Sequence, residues 1–178
     1  EAPVLQGLMA GKVKLVEVVV EENSPLVAEP LHHSEFRKTY GANVLAIRRG
    51  ELVRRVNLAH VPLRPNDTLL LQASPEIVEE LERSAEFSDC HEVNEKELSD
   101  TYRLQERIFV VRVPRESRLA GDTLMRSRLG DAFDFRLLAL FREGELSIMP
   151  ESDQALRSGD LLLIQGREED LDVLRGLQ

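Results

Sequence analysis

One cysteine, no tryptophan and only eight other aromatic residues, two tyrosines and six phenylalanines, occur in this 178-residue sequence. The single Cys90 excludes an intrachain disulfide framework and a zinc-binding thiolate cluster, and it fits a reducing compartment. Its neighbour His91 does not make it a nucleophile. Adjacent side chains rarely face one another, and both stand in a polar stretch with no oxyanion-hole signal. No apolar run approaches the ~20 residues that cross a bilayer, and no signal peptide opens the chain. The first residue is Glu1 and not methionine. The sequence is therefore expected to be a soluble portion of something longer, with room for membrane segments outside it. Glycine-rich phosphate loops, a G-x-S-x-G elbow and an H-E-x-x-H helix are all missing. Carboxylates are plentiful, but on amphipathic helices they read as solvated faces, so no enzyme is expected. The formal net charge of -9 argues against nucleic acid as a partner, because phosphate neutralisation needs clustered cations.

What is present is a duplication. Leu63-Arg64-Pro65-Asn66-Asp67-Thr68-Leu69-Leu70-Leu71-Gln72 returns as Leu156-Arg157-Ser158-Gly159-Asp160-Leu161-Leu162-Leu163-Ile164-Gln165. Each copy is a tight turn ending in aspartate, followed by an apolar run short enough for a buried strand. After the first copy, Ser74-Pro75-Glu76 supplies a cap, a first-turn proline and first-turn acid for a closing helix to about Arg83. Residues 167–174 repeat its apolar ending. Two modules of roughly 70 to 80 residues are implied. Modules that small hide only about 60% of their unfolded surface, so packing against a second chain, as a homodimer, is expected.

Read in order, residues 1–13 are a lead-in and 14–83 the first module. Lys14 to Val20 is a valine-rich strand. A helix is predicted over Leu26 to Lys38, starting near Glu29 and Pro30 and stopped by Gly41 in the left-handed conformation. It carries His32 and His33, which lack further ligands at metal-binding spacing, so no metal site is expected. Asn43–Arg48 and Leu52–Val56 form a hairpin about Arg49-Gly50-Glu51. Arg48, Arg49, Arg54, Arg55 and Arg64 either make a local positive patch suited to a small anion or decorate a solvated hairpin. Residues 84–106 read as a charged linker, helical in part from Glu92 to Leu104. The second module, 107–178, repeats strand, serine-led helix, hairpin, strand and helix, with Phe133 and Phe135 in place of Tyr40 and Ala42. The fold class is α+β, each module placing helices on one sheet face.

Three motifs in order, twice over, resemble the C-terminal lobe of RCK domains, the TrkA-C family. That pattern runs S-x-L-x-G-x-x-L, a strand ending A-I-x-R, and G-D-x-L-L-x-x-G. The first module matches with residues 24–31, Tyr40 to Gly50, and Asn66 to Leu71; the second matches with residues 117–124 and Gly159 to Gly166. Ala28 and Asn66 stand where the pattern prefers glycine, and the second module has Leu140-Phe141-Arg142 in place of A-I-x-R. The nucleotide-binding lobe that accompanies this lobe in channel gating rings is absent.

Tandem copies without that lobe look like the cytosolic insert of bacterial sodium-coupled divalent-anion or dicarboxylate symporters. The resemblance implies a regulatory, dimerising module at the cytoplasmic face of the inner membrane, partnered with a transmembrane domain of the same or another chain. Its alternatives are a purely structural dimerisation module and a subunit of a potassium uptake system. Some family members bind cyclic di-AMP between two lobes, through an arginine late in the first helix and an asparagine opening the next strand. Arg37 and Asn43 stand at those places, with Leu31, Val44 and Pro62 as apolar walls, so cyclic di-AMP or another nucleotide is the implied ligand. In the second module the equivalent positions are Gly130 and Arg136.

Overall fold

The computed structural model describes residues 13–115, 120–121, 136–151 and 154–170. The chain divides between Gln105 and Glu106 into two units. Both are mixed α/β with antiparallel sheets, in keeping with the α+β expectation.

In the first unit, β1 (Lys14–Val20), β2 (Asn43–Arg49), β3 (Leu52–Arg54), β4 (Thr68–Ala73) and β5 (Phe87–Glu92) form one sheet in the order β3-β2-β4-β1-β5. All its pairings are antiparallel. The central strand β4 is buried at every residue, as a strand covered on both faces should be. One face carries Val16, Val18, Val20, Val44, Leu69 and Leu71, packed against Leu31, Phe36, Val78 and Leu81. Phe36 lies on α1 (His33–Tyr40), and Val78 and Leu81 on α2 (Pro75–Arg83). Ser74 caps α2 as its sequence predicts, accepting from the Ile77 amide at 3.4 Å.

Helix α1 is shorter than its sequence suggests. Val27 and Pro30 instead form isolated bridges to Leu63 and Pro62, because the Ala28 amide donates to the Leu63 carbonyl and the Leu63 amide to that of Glu29. Those bonds hold residues 27–30 in turns outside the helix, with Ala28 left-handed at φ 69°, so the helix starts only after His32. The stop is as expected. Gly41 takes φ +70°, and its amide donates to the Arg37 carbonyl.

The segment read as a linker is largely structured, which corrects that part of the sequence reading. Residues 87–92 add β5 to the edge of β1, and α3 (Glu95–Asp100) follows. The alternation of Phe87–Glu92 escapes notice because five of its six side chains are polar or weakly apolar. Val93, Leu98, Tyr102 and Leu104 are each at most 2% exposed. By strand alternation Leu15, Glu17, Asn43, Arg48 and Gln72 share the sheet face opposite α1 and α2.

In the second unit β6 (Ile108–Arg112), β7 (Arg136–Arg142), β8 (Glu145–Ile148) and β9 (Leu161–Gln165) form a sheet in the order β6-β9-β7-β8. This repeats the β1-β4-β2-β3 arrangement. Val113, Leu140, Leu156, Leu162 and Ile164 make its core. The lead-in through residue 12, the first helix of this module with Gly130, Phe133 and Phe135, and the end of its closing helix lie outside the described residues.

Candidate ligand site and polar clusters

The feature common to both modules is an arginine–aspartate clasp. Arg49, ending β2, donates through Nε and an Nη to both carboxylate oxygens of Asp67 at 2.8 Å, and through the same Nη to the Pro62 carbonyl at 3.2 Å. Arg142, ending β7, does the same to Asp160 at 2.7 and 2.6 Å, and to the Ala155 carbonyl at 2.9 Å. In each copy the aspartate also accepts from the backbone amide three residues before it, Arg64 or Arg157. Arginine's planar fork suits this two-point grip. The clasp fastens the hairpin to the turn that opens the central strand.

The electrostatics follow. The Asp67 carboxylate raises the pKa of Arg49, and Asp160 raises that of Arg142; burial opposes both shifts. Burial works to raise the pKa of Asp160, but Arg142 and the Arg157 amide overcome it and hold the carboxyl below its ordinary range.

The clasp also corrects the motif comparison. Arg49 is the arginine of A-I-x-R, and Ala139-Leu140-Phe141-Arg142 delivers Arg142 to the same place with leucine for isoleucine. Sequence reasoning passed over these residues, although the signal was present: arginine and aspartate are eighteen residues apart in both copies. The proposed arginine patch is largely consumed within the fold. Arg49 holds Asp67, Arg48 donates to Glu17 at 2.7 Å, and Arg55 donates to the Arg103 carbonyl at 2.9 Å.

The implied nucleotide residues are distributed unevenly. Arg37 lies half-buried on α1, and Pro62 is exposed. Leu31 and Val44 are sealed in the core. Asn43 is buried and donates from Nδ2 to Oε1 of Gln72 at 3.1 Å. Asn43 shares the sheet face opposite α1, and it opens β2 only three residues after that helix ends at Tyr40.

That opposite face holds a second polar cluster. Glu17, 4% exposed, accepts from Arg48, and the Tyr102 hydroxyl lies against both without a well-angled hydrogen bond to either. Burial, above all, pushes the Tyr102 phenol up to about 12; Arg48 opposes that shift. Tyr102 and Glu17 in turn hold Arg48 more firmly protonated. His91 is paired directly across from Glu17. Burial, then Glu82 and Asp89, push the Cys90 thiol up to about 11, so it is a poor nucleophile at neutral pH.

Two copies of one small antiparallel-sheet module, each locked by the same ion pair, define a tandem-domain protein. The chain belongs to the TrkA-C domain family, whose model matches residues 15–85 and 108–177. It is 31% identical over 159 residues to an uncharacterized transporter of Bradyrhizobium diazoefficiens, covering 88% of this chain and 29% of that protein. An uncharacterized transporter of Synechocystis sp. is 42% identical over 69 residues, which are 39% of this chain and 11% of that protein. The chain thus spans under a third of these relatives. Among solved structures, the RCK C domain of the potassium transport protein KtrA with cyclic diadenosine monophosphate shares 20% identity at TM-score 0.40, covering 47% of this chain and 98% of that one. The RCK_C domain dimer of S. agalactiae BusR with c-di-AMP shares 15% at TM-score 0.38, covering 40% and 88%. No helix among the described residues is long and apolar enough to cross a membrane.

Proposed function

We propose that this chain is the ligand-sensing and dimerising regulatory portion of a bacterial membrane transporter, acting on the cytoplasmic side. The supporting observation is its membership of the TrkA-C family together with transporter relatives of which it spans under a third. A ligand regulates such a portion by binding one arrangement of its modules better than another. The ligand class is a cyclic dinucleotide, with cyclic di-AMP the first choice, because Arg37 can fork onto a phosphate and Asn43 can meet a base edge or phosphate. Binding at Asn43 exchanges its bond to Gln72 for one to the ligand. Only the first module carries this pair, so one ligand site per chain is expected.

The engagement of Asn43 by Gln72 and the sealing of Leu31 and Val44 favour a second reading, a structural dimerisation module without a ligand. Thermal unfolding against cyclic di-AMP and adenine nucleotides, with mass in solution recorded, separates the two. A dose-dependent rise in Tm that disappears in Arg37→Ala supports sensing. A stable dimer with no shift supports the structural reading.

A further inference from the structure

Glu17, the central residue of a strand otherwise made of lysine, leucine and valine, is a carboxylate sunk into a sheet. Such a group needs counter-charge. Arg48 supplies one, yet two further metal-ligating side chains converge on it from separate elements. His91 reaches it from β5 and Glu97 from α3, and the ligating atoms of all three lie within 4.8 Å of one another.

The surroundings orient each donor. His91 Nδ1 stands 3.3 Å from Asp89 Oδ2, so a further carboxylate flanks the ring beside the site. Asn94 holds Glu97 twice, accepting its backbone amide at 2.8 Å and donating to Oε1 at 3.0 Å, so one carboxylate oxygen is engaged and the other remains. Arg48 engages Glu17 Oε2, leaving Oε1. A second observation points the same way: Tyr102 is 1% exposed, its hydroxyl lies against Glu17, and no hydrogen bond of acceptable geometry satisfies it. A bound cation with a coordinated water would give that oxygen an ordered partner.

We propose that Glu17, His91 and Glu97 form a divalent transition-metal site on the sheet face opposite α1 and α2. One imidazole and two carboxylates favour Zn2+ or Co2+ over the all-oxygen coordination of Ca2+ and Mg2+. With Asp89 and Arg48 included and His91 neutral, the charges facing the site sum to a net negative that a dication offsets. Tetrahedral coordination at about 2.0–2.1 Å asks for ligand separations of about 3.4 Å, a contraction within reach of the half-exposed His91 side chain. The metal pins β5 and α3 onto β1. It is independent of the nucleotide reading, since Arg37 takes no part in it.

The test uses the whole 178-residue chain and two probes, Zn2+ by titration calorimetry and Co2+ by its visible d–d absorption. One equivalent per chain is expected, with a rise in Tm on Zn2+. His91→Gln, at an exposed position and checked for native circular dichroism, is expected to weaken binding about ten- to a hundredfold, as is Glu97→Gln. The double variant His32→Gln/His33→Gln and Cys90→Ser are expected to bind like the parent. No uptake at micromolar Zn2+, or uptake unchanged in His91→Gln, overturns the proposal. Loss of binding in Cys90→Ser or in the His32/His33 variant also overturns it, by moving the ligands elsewhere.

Discussion

The two modules agree wherever backbone geometry is set and differ wherever a sheet face meets its surroundings. The Ala28 amide donates to the Leu63 carbonyl at 2.7 Å, and the Gly121 amide to that of Leu156 at the same distance. Asn66 and Gly159 occupy one turn position with φ of 69° and 88°. On the face away from the core helices the likeness ends. Where β1 and β2 carry the Glu17–Arg48 pair beneath Tyr102, β6 and β7 carry Val110, 60% exposed, and Phe141, 42% exposed. Asn43 opposite Gln72 becomes Arg136 opposite Gln165, and burial pushes the Arg136 guanidinium down to about 9. Duplication kept the clasp and the turns, which a module needs to fold, and released the opposite face to diverge.

The largest effect is expected from the cover that, among the described residues, only the first module has. Leu98→Ala removes a fully buried side chain from that layer and is expected to destabilise the first module by about 2–5 kcal/mol. Hydrogen exchange read peptide by peptide checks this: exchange in 14–20 and 43–49 should quicken while 136–142 stays unchanged. An equal loss in both regions would break the comparison.

The clasps come next and should behave alike. Asp67→Ala and Asp160→Ala each strip an arginine fork and a backbone amide of their acceptor, at a cost of about 2–3 kcal/mol to the module concerned. Denaturant unfolding monitored by the same exchange measurement tests them. A negligible cost for one of the two would show that the repeated geometry does not carry repeated energy.

Smaller and opposite in sign are the exchanges at the shared left-handed position. Ala28 takes φ 69° with a Cβ that glycine lacks, so Ala28→Gly is expected to stabilise by about 1 kcal/mol and Gly121→Ala to destabilise by a similar amount. Midpoints of urea unfolding for the pair measure this. If both variants destabilise, the strain at Ala28 is offset by its packing.

The last effect is one of pH. Because the carboxyl of folded Asp160 titrates below its ordinary value of 3.8, its contribution is present above that value and is lost as pH falls through the folded pKa. Stability of Asp160→Asn, followed from pH 6 down to pH 2, should accordingly fall less steeply than that of the parent. Parallel curves would contradict the assignment.

Much of this was legible in the sequence, and for identifiable reasons. Strand β4, the α2 cap at Ser74 and the stop at Gly41 are written in local signals that tertiary contacts only reinforce. The start of α1 was misread because Pro30 resembles a first-turn proline, while its segment is held in turns by the bonds of Ala28 and Glu29 to Leu63, far away in sequence. Strand β5 was missed because an edge strand needs no apolar run: Phe87–Glu92 gains its order from pairing with β1 and from Phe87 meeting Tyr40 edge to face with centroids 5.6 Å apart. The Glu17, His91 and Glu97 convergence could not be read from spacing either, since β1 lies far in sequence from β5 and α3, and pairing with β5 brings them together.

The central claim is that the two modules share a scaffold but not a task, with ligand sensing confined to the first. Hydrogen exchange of the intact chain with and without saturating cyclic di-AMP tests it most directly. The account predicts slowed exchange in peptides spanning 31–44 and none in 136–142, with the protection gone in Arg37→Ala. Protection centred on the second module, or a ligand effect that survives Arg37→Ala, would contradict it.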